Sequence, residues 1–136
     1  MPTPKKRTPR ASTTRRFPAR ILSLLRGSRM LGVRAGTDGH RFTGVWVVVV
    51  DERVFVRPWN DSPGGWHRSF LRQRTGAILT YGREIPVRAR RVRGERLLDA
   101  VDVAYAEKYD TKAARKWVRG LSLPRRRKTT TELLPR

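Results

Sequence analysis

Three tryptophans, Trp46, Trp59 and Trp66, fall within 21 residues, and an indole both stacks on a planar ring and offers one N–H to a carbonyl on it. Trp59 and Trp66 flank the turn-rich stretch Asn60-Asp61-Ser62-Pro63-Gly64-Gly65, the type of exposed loop that carries binding groups. Trp46 stands among five valines and reads as core, and Trp117 reads as helix packing. His67, alone beside a tryptophan, reads as a surface or capping residue rather than a proton donor. Tyr105 and Tyr109, four apart, form one packed helical stripe rather than a pair of hydroxyl donors. No residue takes a catalytic role on these grounds. No carboxylate pair, nucleophile elbow or phosphate-binding glycine loop is visible. The lack of cysteine removes disulfides and thiolate chemistry, and with two histidines no metal site is expected.

The elements that must position these residues are mostly strands. Arg29 to Arg34 and Phe42 to Val50 read as a hairpin around Gly36-Thr37-Asp38-Gly39. Asp51-Glu52 then connects to Arg53–Arg57, where charged and apolar residues alternate with the period of a half-buried strand. Trp66, Phe70 and Leu71 share one face of a two-turn helix. Ala77 to Tyr81 and Glu84 to Val92 give a second hairpin turning at Gly82-Arg83. Helical spacing recurs in Ala19–Leu25, in Glu95–Tyr109 and in Lys112–Val118, while Thr129 to Leu134 has the β-branched composition of a last strand. The run Arg125 to Lys128 reads as a solvated loop.

The chain has 136 residues, the size of one domain with a tail, and a net charge of +21. Residues 1–16 hold Lys5, Lys6, Arg7, Arg10, Arg15 and Arg16, three prolines and no acid, so a disordered basic arm is expected ahead of a folded domain at 17–136. A field of that sign draws nucleic acid before any specific contact forms, and weak nonspecific binding through the arm is expected. Of the 32 basic residues 26 are arginine, a skew that a GC-rich coding sequence also produces. Thr14-Arg15-Arg16-Phe17 is similar to a twin-arginine export signal, but Arg20 and Arg26 interrupt the apolar stretch such a signal needs. The longest apolar run, Val45 to Val50, is six residues, so no membrane span is expected, and the lack of cysteine leaves a reducing cytoplasm as the expected location.

From Trp46 to Leu97 the chain resembles the deazaflavin-dependent nitroreductases, within the superfamily of pyridoxamine-phosphate-oxidase-like split barrels. The residues that carry the likeness are Trp46 to Arg57, Gly65-Trp66-His67-Arg68-Ser69-Phe70-Leu71, Ala89-Arg90-Arg91-Val92 and Gly94-Glu95-Arg96. It is similar also to a bacterial family of unknown function in the same barrel class, through Val-Trp-Val-Val-Val-Val, Val-Arg-Pro-Trp-Asn and Arg-Glu-Ile-Pro-Val-Arg-Ala. The turn from Arg34 to Arg41 departs from the Arg-Lys-Ser/Thr-Gly turn of the nitroreductases, with Asp38 inside it.

The resemblance implies an α+β, mainly β fold, a six-stranded antiparallel split β-barrel with flanking helices. It implies a flavin mononucleotide (FMN) or deazaflavin (F420) cofactor, hydride transfer to a small organic acceptor, and a homodimer. Arg57, Arg68, Arg88 and Arg90 would then hold the anionic tail, and Trp59 and Trp66 the ring. For each arginine the alternative is a solvated place on the barrel wall. Two other functions stay open: a non-enzymatic protein binding nucleic acid, and a cofactor-free barrel serving as an interaction module.

Overall fold

In a computed structural model of the chain, which describes residues 16–36 and 41–136, seven strands join in one antiparallel sheet. They are β1 (Leu31–Ala35), β2 (Thr43–Val45), β3 (Val47–Val50), β4 (Arg53–Val56), β5 (Thr75–Thr80), β6 (Arg83–Arg91) and β7 (Thr131–Pro135). Their spatial order is β2-β1-β5-β6-β7-β4-β3. The two edges, β2 and β3, are separated in the chain by Trp46 alone, so one segment runs from one edge of the sheet to the other and nearly closes it into a barrel.

Six strands were expected and seven are found, because Phe42 to Val50 breaks at Trp46. Thr43–Val45 pairs with β1 and Val47–Val50 with β4, and Trp46 between them pairs with neither. At the bend two tyrosine hydroxyls replace the missing ladder partners: Tyr105 donates to the Trp46 carbonyl at 2.9 Å, and Tyr109 accepts from the Val47 N–H at 3.1 Å. A broken edge of the sheet is thereby satisfied from a helix.

Two hairpins are tight. Asp51 and Glu52 both have positive φ, 50° and 63°, as do Tyr81 and Gly82, 47° and 73°. Paired left-handed residues make the turn whose twist matches the strands on either side. They set the registers Val50 opposite Arg53 and Thr80 opposite Arg83.

Among the described residues five helices flank the sheet: α1 (Ala19–Gly27), α2 (Trp66–Arg72), α3 (Glu95–Lys108), α4 (Arg115–Leu121) and α5 (Pro124–Arg127). The alternation of β4 sorts the core into two parts. Val54 and Val56 face the barrel interior, where Ile21 and Leu25 of α1 and Phe70 of α2 join them, while Phe55 faces outward onto Val101 and Tyr105 of α3 and Leu121 of α4. Each large apolar side chain buried in this way stabilises the fold by about 2 kcal/mol. The basic run read as a solvated loop is instead α5, opened by Pro124 at a position where proline is favoured. The expected arm, apart from Arg16, and the turn residues 37–40 lie outside the described residues. Among the described residues no helix is long and apolar enough to cross a membrane.

Candidate functional site

The bend that nearly closes the barrel also builds a cavity. Trp46 lies flat on Tyr109, ring centres 4.1 Å apart and planes within 1°. After β4 the chain leaves the sheet and carries Trp59 against α4, where its ring meets Trp117 edge-on at 4.9 Å. Gly120 permits this approach, since a Cβ there would stand 2.7 Å from Cζ3 of the Trp59 ring. Arg126 of α5 covers Trp59 at 3.7 Å from the ring centre and donates to the carbonyls of Trp59 (2.9 Å) and Gly120 (3.1 Å). Between Trp46, Trp59 and Trp117 remains a mainly apolar cavity of about 250 Å³, walled also by Met30, Arg57 and Leu121. A second hollow of about 360 Å³ adjoins it across Trp59, with Arg125, Arg126 and Lys128 on its wall.

Arg57 is the polar group of the first cavity, and its side chain is 0% exposed. Its Nε donates to Thr130 Oγ1 at 2.7 Å, Nη1 to Asp102 Oδ1 at 2.5 Å and to the Leu121 carbonyl at 3.0 Å, and Nη2 to the Leu98 carbonyl at 3.2 Å. Four of its five N–H groups are thus committed to protein. A paired grip on a phosphate needs two adjacent free donors, which Arg57 does not have. Asp102 accepts in addition from Arg127, which bonds Glu95 at 2.9 Å and Asp99 at 3.0 Å. This network ties β4, α3, α4 and α5 together and fixes the cavity wall.

The floor beneath Trp46 is equally constrained. Tyr109 donates to the Arg29 carbonyl at 2.6 Å, and burial pushes its hydroxyl up to about 12, so it stays protonated and keeps that bond at neutral pH. Lys108 donates to the carbonyls of Leu25 (3.0 Å) and Val47 (2.7 Å), and burial together with nearby Arg29 pushes its amine down to about 8.

The other residues singled out in the sequence lie elsewhere. Trp66 is buried in the barrel interior, edge-on to Phe70 at 6.3 Å. Arg68 is exposed and reaches Asp61 at 3.3 Å. Arg88 is half-buried on the outer face of β6, with no ion pair among the described residues. Arg90 pairs at 2.8 Å with Glu132, which also receives two bonds from Arg53 at 2.9 and 2.8 Å. Burial alone would raise the Glu132 carboxyl, but the two guanidinium groups outweigh it and hold the group below the ordinary range. Only Arg57 and Trp59 of the six share a cavity.

His67 is buried rather than at the surface, with Nδ1 2.9 Å from Asp61 Oδ1. Trp46 and Trp117, read from sequence as packing, are cavity walls, and Gly120 and Arg126 were missed. A tryptophan followed by a basic run was the only trace of them in the sequence, and nothing local linked it to Trp59.

Residues 31–133 match the model of a family described as an uncharacterized protein conserved in bacteria, DUF2255. The chain belongs to the DUF2255 family. The matched span takes in every residue of the indole cavity except Met30. The fold of this DUF2255 chain is similar to that of a solved structure, conserved hypothetical protein Rv2991 from Mycobacterium tuberculosis, with a TM-score of 0.54 at 19% identity over 86% of this chain and 78% of that one. No curated protein matches the chain.

Proposed function

We propose that this DUF2255 protein binds a flavin-type cofactor, FMN or a deazaflavin, with the ring in the cavity between Trp46, Trp59 and Trp117, and acts as an oxidoreductase on a small organic acceptor. The observation that carries the reading is the convergence of three indoles from separate segments on one apolar cavity. The resemblance of Trp46 to Leu97 to deazaflavin-dependent nitroreductases supports it from the sequence side.

The residues present fit such a group. A cavity of about 250 Å³ lies just below the ordinary range of roughly 300–1,000 Å³ for a whole ligand, which suits a ring whose tail lies outside. The adjoining hollow offers Arg125 and Lys128 to an anionic tail, in place of the committed Arg57, and its one carboxylate, Asp61, is already engaged by His67 and Arg68. One face of Trp46 is already covered by Tyr109, and Arg126 already covers Trp59, so neither indole must be ordered when a ring binds. A bound flavin or deazaflavin would supply hydride chemistry. The protein's part is to stack on the ring, exclude water and hold the tail. Met30, Trp59 and Trp117, exposed by 60, 38 and 44%, give the cavity an apolar rim that a second copy of the chain would cover in the proposed homodimer.

Titration of the purified protein with FMN and with deazaflavin, followed by cofactor fluorescence, tests the reading. Saturable binding of one cofactor per chain is expected, weakened about tenfold by Trp59→Ala or Trp117→Ala, the scale of one lost aromatic stacking partner. Failure of both cofactors to bind at millimolar concentration would overturn it.

A further inference from the structure

We infer that the protein carries a second binding site, for a small ligand bearing a diphosphate or triphosphate group, in the basic pocket between α2 and the end of β6. This inference does not rest on the flavin reading, and the two cavities share no lining residue.

The pocket, about 360 Å³, is lined by His67, Arg74, Arg90, Arg91 and Arg93. Backbone pairing gathers the arginines. The Arg74 carbonyl accepts the Ala89 N–H at 2.7 Å, which extends the β5–β6 ladder by one step and sets Arg74 across from the strand that carries Arg90 and Arg91. The Val92 N–H donates to the Thr130 carbonyl at 3.1 Å, so pairing to the segment before β7 continues past Arg91 and brings Arg93 to the same rim. No Asp or Glu lines the pocket.

Among the described residues Arg74, Arg91 and Arg93 have no carboxylate partner, and Arg90 shares Glu132 with Arg53. Like charges gathered in a concavity repel one another and focus a positive field on whatever enters it. Each guanidinium fork can pair with two phosphoryl oxygens, so three unpaired forks match a chain of phosphates better than a single one, while Arg90 stays bonded to Glu132. His67 donates Nδ1–H to the Asp61 carboxylate, which anchors its ring in the wall. The charge is held in one hollow rather than along a track, and Phe70, the aromatic side chain of the lining, is buried and presents no platform for bases. These two features favour a small phosphorylated ligand over a nucleic-acid strand.

Calorimetric titration with orthophosphate, pyrophosphate and tripolyphosphate in about 0.15 M salt tests the site, with a mixed-sequence single strand of DNA as a further arm. Expected are one tripolyphosphate per chain, affinity rising from orthophosphate to tripolyphosphate, and a loss of at least about tenfold in Arg91→Gln/Arg93→Gln. Arg115→Gln/Arg119→Gln, which removes the same charge from α4, is expected to change affinity less than about twofold. All four arginines are exposed, and matched unfolding curves establish that the variants fold alike. Equal weakening by the two pairs, absence of saturable tripolyphosphate binding, or a DNA strand that displaces tripolyphosphate from the site would each overturn the inference.

Discussion

On the side of the barrel covered by α3 and α4, Arg57 and Arg127 have their guanidinium groups bonded to carboxylates, a threonine hydroxyl and main-chain carbonyls. On the side where α2 meets the end of β6, Arg74, Arg91 and Arg93 stand around a hollow with no carboxylate partner among the described residues. Residue type is the same in both places and the availability of the N–H groups is opposite. A committed arginine holds elements together, whereas one with open donors is available to a ligand, so burial and partners decide function where composition cannot.

The contrast is tested hardest at Arg57. Arg57→Ala strips a partner from Asp102, Thr130 and two carbonyls in a buried setting, and a loss of about 4 kcal/mol is expected in urea unfolding. Arg57→Lys is expected to recover little of it, because a single ammonium cannot serve four acceptors spread over a planar fork. A loss under about 1 kcal/mol would erase the distinction between the two sides.

Glu132→Gln comes next, at about 2 kcal/mol near neutral pH. The sign with pH follows from the depressed carboxyl of Glu132 in the folded state. Its contribution is complete above the unfolded value of about 4.3 and disappears as pH falls through the lower folded value. Stability of the native chain should therefore fall more steeply than that of Glu132→Gln as pH drops below about 5, which parallel denaturant curves at stepped pH would measure.

Tyr109→Phe removes the hydroxyl that accepts from Val47 and donates to Arg29, and should cost about 1 kcal/mol. The smallest effect is expected on the open side, where Arg91→Gln should alter stability by less than about 0.5 kcal/mol. A larger loss there would mean that Arg91 holds structure after all.

The strands were legible because their alternation is local. Arg53 to Val56 shows in four residues which side chains face the barrel, and the apolar spacing from Leu97 to Tyr105 gives α3 nearly to its ends. The break at Trp46 was not legible, since a continuous apolar run carries no mark of the tyrosine hydroxyls, some sixty residues away, that satisfy the bend. The site failed for the same reason. Arg57 looks like an exposed strand end until Asp102 and Thr130 fold over it, and the run at Arg125 looks solvated until Arg126 closes on Trp59 and Arg127 on three carboxylates of α3. Patterns of short period report which face is buried, and they do not report which distant partner a buried charge will meet.

The most direct test of the account is a paired titration of one preparation with FMN or deazaflavin and with tripolyphosphate, repeated on Trp59→Ala/Trp117→Ala and on Arg91→Gln/Arg93→Gln. The account predicts a double dissociation, in which the indole pair loses the cofactor and keeps tripolyphosphate while the arginine pair does the reverse. Loss of both ligands in either variant would contradict two separate sites and would leave the contrast between the two sides of the barrel without functional meaning.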